Sequence, residues 1–310
     1  MRLHFEMLRI RVVETTLAEL YKEQEMRTPA HFSVGQEAIA VGVCAALERD
    51  DVVYSGHRCH AHYLAKGGDL AALVAELYGR ETGCARGRGG SVHLTDPEVG
   101  LIASSAILAQ TVPVAVGSAL AFKMDGSRRV AVTFFGDGAI DEGVFHESLN
   151  WASVRRLPVL FVCENNLYAT HSPLSVRLPQ GTRIDRRAGA YRIASERIDG
   201  NDLVAVYRAT MRAVARCRRG EGPAFLECMT YRWLEHVGPG EDFRSGYRSV
   251  DEARPWMDND QLQRTAALLP KAQRTTIEQQ VEDEVADALA FADASPFPTD
   301  EELWTHVYAD

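Results

Sequence analysis

The chemistry of this chain is concentrated at two strand-like ends. Residues 134–143 read FFGDGAIDEG, so an apolar run stops at Asp137, held between Gly136 and Gly138. A second apolar run, Leu157–Cys163, stops at Glu164-Asn165-Asn166. The separation from Asp137 to Asn166 is 166 − 137 = 29 residues, the length that one helix and one strand need. In an open parallel sheet, ligands bind off the carboxyl ends of the strands. A carboxylate and an amide oxygen placed there can converge on one point. Mg²⁺ is held by one or two protein oxygens together with ligand phosphates. Glycine on both sides of Asp137 lets a ligand approach bare backbone, and the N-terminus of the helix that follows favours phosphate. GDG alone is the pattern of a plain turn, and Asn-Asn alone is no more specific. Together, at this spacing, they point to a Mg²⁺–diphosphate clamp. Upstream, SGHRCHAHYLAKGG brings His57, His60 and His62 close in sequence, an arrangement that also suits a metal. Asp141 and Glu142 are substrate-side or solvated groups on this reading.

The elements that must position these residues form a βαβ unit. Val130–Phe135 and Leu157–Cys163 read as strands buried on both faces, and Gly143–Arg155 has helical spacing between them. The crossover should be right-handed. Before this unit, helices are predicted at Glu6–Glu23, Gln36–Leu47 and Leu70–Tyr78, with a short strand at Asp50–Tyr54. Residues 79–93, GRETGCARGRGGSVH, are a glycine-rich loop carrying Arg86 and Arg88. Residues 105–123 are the next helix. Later strands fall near Arg192–Ile198 and Ala224–Thr230, with a helix at about Asp202–Arg216 between them, and an amphipathic helix is predicted near Thr275–Ala294. No internal repeat and no second core is visible. The fold class is α/β, a mostly parallel sheet flanked by helices, in one domain over 1–310 with helical additions at 1–48 and 250–310.

The 310 residues are 46% hydrophobic and 25% charged, enough for a large buried core. The net charge of −9 gives no global basic field for nucleic acid or an anionic membrane. The arginine-rich stretch Arg183–Arg197 is broken by Asp185 and Glu196 and reads as a solvated face. Leu101–Phe122 is uncharged over nearly a membrane span, but its Ser104, Ser105, Gln110, Pro113 and Gly117 suit a buried helix in a soluble core. The six cysteines form no CxxC pair, which fits reduced thiols in a cytoplasmic protein.

The longer motifs narrow the chemistry. GDG followed by about thirty residues and then NN is the thiamine diphosphate pattern. AHFSVGQEAIAVGVCAAL, GCARGRGGSVHL, LPVLFVCENNLYAT, IDGNDLVAV, GPAFLECMTYRW and ADASPFPTDEELWTHVY resemble the α subunit of 2-oxo acid dehydrogenase E1 enzymes, over nearly the whole chain. The resemblance implies a thiamine diphosphate-binding fold, of which this chain is the diphosphate half. It implies Mg²⁺ ligands at Asp137, Asn166 and the carbonyl of Tyr168, and a diphosphate lined by Gly136, Gly138 and Ala139. It implies diphosphate arginines at Arg58 and Arg232, whose planar guanidinium suits phosphate. Ile107 and Leu108 fall where the family holds the aminopyrimidine, and His60 and His236 where it places catalytic histidines. The chain departs from the family at His57, where the family has tyrosine, and at Glu235 and Val237, where it has glycine and serine. Two extra residues separate His236 from Tyr247-Arg248.

The partner implied is a β subunit carrying the pyrimidine half, in an α2β2 heterotetramer. Three functions stand beside one another. The first is decarboxylation of a 2-oxo acid with acyl transfer to a lipoyl carrier. The second is a split transketolase-like or acyloin-type enzyme that moves a two-carbon unit from a small ketone to another acceptor, such as an acyl carrier protein. The third is a non-catalytic partner subunit.

Overall fold

The computed structural model describes residues 1–26, 28–305 and 307; Arg27, His306 and the last three positions of the predicted 250–310 addition lie outside them. Six parallel strands make the central sheet: β1 Val52–Ser55, β2 Leu101–Ser104, β3 Ala131–Gly136, β4 Val159–Asn165, β7 Ala194–Asp199 and β8 Ala224–Met229, in the order β2-β1-β3-β4-β8-β7. The two short strands β5 Tyr168–Ala169 and β6 Ser172–Pro173 pair antiparallel as a hairpin outside that sheet.

The inner strands are buried on both faces, which is why they read as continuous apolar runs. Along β4 the side chains alternate: Leu160 and Val162 enter one core, Val159, Phe161 and Cys163 the other. The first core is covered by α1 Arg2–Leu20, α2 Glu37–Cys44, α3 His60–Lys66, α4 Leu70–Leu77 and α9 Leu203–Arg218. The second is covered by α5 Thr111–Met124, α6 Gly143–Arg155 and α8 Ile184–Ala190, while α7 Leu174–Arg177 is a single turn beside it. Helix α9 starts where Asp202 caps the backbone N–H groups of Val204 (2.9 Å) and Ala205 (3.0 Å). Its buried Leu203, Val206, Thr210, Ala213, Val214 and Cys217 form the stripe that faces β4 and β8. The C-terminal helices α10 Val250–Asp258, α11 Gln261–Ala266 and α12 Lys271–Ala294 return to the first layer. There Arg9 of α1 grips Glu284 of α12 with bonds of 2.6–2.9 Å, and Arg11 joins Glu37 of α2 to Asp260 at the start of α11.

Three sequence readings change. The uncharged stretch Leu101–Phe122 is not one helix: β2 takes its first four residues and α5 begins only at Thr111. The helix predicted over 105–123 starts later, at Thr111, and the edge strand just before that range was not read, because small and polar residues mask the β pattern. No helix among the described residues is long and apolar enough to cross a membrane. The arginine-rich stretch Arg183–Arg197 is not only a solvated face. It contains α8, whose Ile184, Asp185 and Ala188 are buried, and the edge strand β7. Finally, a 3₁₀ turn over Asp137–Asp141 separates β3 from α6, so the helical turn meeting the strand end begins at Asp137 itself.

Candidate active site

The chain enters the sheet at β1, places β2 on one side and β3 on the other, so the strand order reverses between β1 and β3. A crevice opens at such a switch point. Here a cavity of about 220 Å³ is lined by the ends of β1 (Gly56, His57, Arg58), β3 (Gly136, Gly138, Ala139) and β4 (Glu164, Asn166). The 29-residue spacing brings the two motifs to neighbouring strand ends: Gly136 is paired in register with Glu164, Asp137 follows Gly136 directly, and Asn166 comes two residues after Glu164.

Asp137 is fully buried, and its Oδ1 has no hydrogen-bond partner. Oδ2 accepts from the Arg177 guanidinium. Burial pushes the Asp137 carboxyl above its ordinary pKa, and Arg177 acts against that rise. The first N–H groups of a helical turn have no intrahelical acceptor, and those of Gly138 and Ala139 open this one. A methyl group added at Gly136 would meet nothing within 4 Å, so the space over the strand end is open. The two asparagines divide their work. Asn165 is structural: it donates to Glu227 at 2.8 Å and accepts from the Leu167 N–H at 3.1 Å. Asn166 lines the cavity, its Oδ1 accepting from the Tyr168 N–H at 3.2 Å. Tyr168 lies beside it, its hydroxyl bonded to Glu252 at 2.6 Å.

Opposite this acidic corner lies a basic one. Arg58 is buried and donates only to carbonyl oxygens, those of Phe32 and, at 3.4 Å, of His236. Burial, and then the charge of Arg232, hold its guanidinium down to about 10. A buried cation satisfied only by carbonyls is a strong seat for an anion. Around it stand His31, His57 and His236, with ring centroids 4.6–5.4 Å apart. Burial, followed by the Arg58 charge, pushes all three to about 3, so they are neutral at pH 7. Their ligating atoms lie within 4.8 Å of one another. Arg58 beside them opposes a dication, so the cluster suits an anion or a hydrogen-bonding substrate better.

Two expectations shift in detail, those for His60 and Arg232. His60 is not at the cavity. It is fully buried in α3, with Nδ1 2.9 Å from Glu14 and Nε2 2.7 Å from Ser91. Helical geometry turns His62 inward instead, two residues on: its ring stacks on Phe134 at 3.9 Å and bridges Ser55 (2.7 Å) and Glu164 (3.1 Å) at the cavity wall. Arg232 lies behind His236 rather than on the wall, because Asp242 (3.1 Å), Tyr247 (2.8 Å) and the carbonyls of Thr170 and Leu234 hold it. Burial works to raise the Asp242 carboxyl, but bonds from Tyr247 and Arg248 outweigh it and the pKa falls. Ile107 and Leu108 do line the cavity, with 63% and 45% exposure, at its mouth. Glu235, the departure in the loop, closes that loop on itself through the Gly240 N–H at 2.8 Å.

His31, His62, Glu164 and Arg177 are site residues that the motif reading left out. His31 lay within a quoted motif, ahead of GQEA, and a titratable residue at that position was the available signal. Arg177 had none, since an arginine in a loop looks solvated.

A family model described as dehydrogenase E1 component matches residues 5–301. The chain belongs to that family. It is 40% identical over 308 residues to the α subunit of acetoin:2,6-dichlorophenolindophenol oxidoreductase of Bacillus subtilis, covering 98% of this chain and 91% of that one. It is 37% identical over 283 residues to the protein of the same description from Cupriavidus necator, covering 90% and 84%. It is 35% identical over 309 residues to the pyruvate dehydrogenase E1 component α subunit of Rhizobium meliloti, covering 97% and 88%. Members of the dehydrogenase E1 family depend on thiamine diphosphate and work in complexes with a β subunit.

The residues present fit that cofactor. Asp137 has an orphaned oxygen, the strand end above Gly136 is open, and Arg58 has no carboxylate within ion-pair reach among the described residues.

Proposed function

We propose that this chain is the α subunit of a thiamine diphosphate- and Mg²⁺-dependent enzyme that cleaves a 2-oxo acid and passes the acyl group to a lipoyl carrier. The observation that carries the reading is the buried Asp137 with its unpartnered Oδ1, set beside Asn166 and across from an unpaired Arg58. Asp137, Asn166 and the Tyr168 carbonyl would hold Mg²⁺. The first N–H groups of the 3₁₀ turn, with Arg58, would hold the diphosphate. Arg232 would support it from behind, through His236. Thiamine diphosphate supplies the electron sink for breaking the bond beside the ketone.

The chain's own groups bind, orient and exchange protons. His31, His57 and His236 are neutral and hydrogen-bond capable, so each can accept from a substrate hydroxyl or donate to a carboxylate. His60 acts through position: between Glu14 and Ser91 it fixes α3 against the 79–93 loop. Ile107 and Leu108 would meet the aminopyrimidine, and the pyrimidine half of the site would come from the β subunit of an α2β2 assembly. With six unpaired thiols, five of them buried, the chain fits the cytoplasm.

A second reading, favoured by the 40% relative, makes the substrate a hydroxyketone such as acetoin rather than a 2-oxo acid. The acceptor is then a small carrier or dye, and the neutral histidines receive the hydroxyl. Isothermal titration of the co-expressed α and β chains with thiamine diphosphate and Mg²⁺ tests the cofactor. Binding should be abolished in Asp137→Ala, and unaltered binding there would sink the assignment. Turnover of 2-oxo acids against hydroxyketones with an artificial electron acceptor decides between the substrates.

A further inference from the structure

Arg177 holds one oxygen of the carboxylate to which the proposed function gives a metal ion, and leaves the other, Oδ1, free. From the single turn α7 it donates through Nη2 to Asp137 Oδ2, and through Nη1 to the Asp137 carbonyl at 3.3 Å and to Asp141 at 2.7 Å. The guanidinium is mostly buried, 13% exposed, and faces a carboxylate that is 1% exposed. It also gives Asp141, left without a role by the motif reading, a clear one: Asp141 is the second anchor of the guanidinium.

The segment that carries Arg177 packs Leu178 and Leu174 on the second core but has few other polar attachments. Residues 172–182 pair within their own hairpin and turn, through Leu174 to Leu167, Leu178 to Leu174 and Thr182 to Pro179. Among the described residues, every hydrogen bond this segment makes beyond its own hairpin and turns is made by Arg177. Behind it lies a second cavity of about 460 Å³, lined by Leu174, Leu178, Pro179 and Gln180, which leaves room for the segment to move.

A guanidinium on Oδ2 leaves Oδ1 free, but Mg²⁺ on Oδ1 would then stand close to a second cation in a buried site, where the two repel strongly. We propose that Arg177 is a built-in counter-cation that neutralises the Asp137 carboxylate from its second oxygen and is displaced by Mg²⁺–diphosphate, so that cofactor loading and the position of segment 172–182 are a single equilibrium. This rests on the assignment of Mg²⁺ to Asp137. Arg177 stabilises the cofactor-free chain by neutralising a buried carboxylate, and the same contact lowers apparent metal affinity by the fraction of molecules in which Arg177 holds Asp137.

The test is calorimetric titration of Mg²⁺ into the co-expressed α and β chains at fixed, saturating thiamine diphosphate, for the natural protein, Arg177→Met, Asp141→Asn and Asp137→Asn. Arg177→Met should bind Mg²⁺ roughly tenfold tighter or more. Asp141→Asn, an exposed change that removes one anchor, should shift affinity the same way by about threefold. Without cofactor, Arg177→Met should melt at a lower temperature than the natural protein, and saturating Mg²⁺–thiamine diphosphate should remove the difference. Metal affinity unchanged or weakened in both Arg177→Met and Asp141→Asn overturns the counter-cation; a weakened affinity would make Arg177 a diphosphate ligand instead. Asp137→Asn separates the two levels. If it binds like the natural protein, the metal assignment falls and the counter-cation with it. If it abolishes binding while the other two variants behave like the natural protein, only the counter-cation falls.

Discussion

Acid should destabilise the cofactor-free chain through its histidine cluster, and the size of the effect follows from the structure. His31, His57 and His236 have pKa values near 3 in the folded chain against an ordinary 6.5. Between those values the unfolded chain binds more protons than the folded one, so stability is complete above about pH 6.5 and is lost as pH falls toward 3. From pH 7.5 to 5.5 each such group costs about 1.4 kcal/mol, and three cost about 4 kcal/mol. Partial exposure of His57 and His236 screens their share, which brings the expected loss to about 2–4 kcal/mol. For a chain of 310 residues that is a fall in melting temperature of roughly 3–6 °C.

Buried carboxyls with raised pKa, Asp51 and Asp137 among them, work in the opposite sense, because they gain protons in the folded chain first. The informative quantity is therefore a difference. Thermal unfolding at pH 7.5 and 5.5 should show a smaller acid shift in His57→Gln than in the natural protein, by about one third of the cluster's share. Inorganic pyrophosphate with Mg²⁺, by placing negative charge beside Arg58, should shrink the shift in the natural protein. An acid shift equal in His57→Gln and the natural protein refutes the claim that these imidazoles are held neutral.

Two further variants read other parts of the structure. Glu76 is fully buried, and its carboxylate accepts the backbone N–H groups of Ala85 (2.8 Å), Gly87 (2.9 Å), Gly89 (2.6 Å) and Gly90 (3.0 Å), so it holds the glycine-rich loop in shape. Glu76→Gln turns a donor toward donors and should cost about 3–5 kcal/mol, measured by urea unfolding; a cost under about 1 kcal/mol would show that the loop is held elsewhere. Arg58→Met removes a buried cation satisfied only by carbonyls, so it should raise the stability of the cofactor-free chain by about 1–2 kcal/mol while weakening pyrophosphate binding about a hundredfold or more. A destabilised Arg58→Met protein would mean that the guanidinium has a partner in the free chain.

The parts of the fold legible in the sequence were those where one local signal met no competitor. The run Val130–Phe135 into GDG and the run Leu157–Cys163 into Asn165-Asn166 each carried a strand and its end, and their spacing carried the helix between. The capped, striped helix α9 was equally plain. Strand β2 was not, because Leu101–Ser104 is too short and too small-chained to stand out from the uncharged residues after it. In the site, residues adjacent to the two motifs were legible, since backbone continuity places them. The sequence pointed to His60 rather than His62, because which face of the short helix α3 meets the cavity depends on how it packs against Glu14 and Phe134. Arg177 was invisible for the same kind of reason: its partner Asp137 is 40 residues away, and nothing local reports the contact.

The site residues share one physical property: in the free chain they are costly. Asp137 keeps a buried oxygen without a donor; His31, Gln36, Arg177 and Arg232 nearby also carry buried nitrogens without acceptors. Arg58 is a buried cation without a carboxylate, and Ile107 stands 63% exposed at the cavity mouth. Elsewhere buried charges are matched, as Arg9 is by Glu284 and Arg218 by Asp51. A fold that leaves Arg58 without a carboxylate and Asp137 with a free oxygen at one set of strand ends has room there for an anion, a cation and an apolar cover. On the proposed function, a diphosphate, its metal and a partner subunit's surface would supply those three things. Each relieves a different group, so their binding should be cooperative: whichever arrives first lowers the cost of ordering the rest.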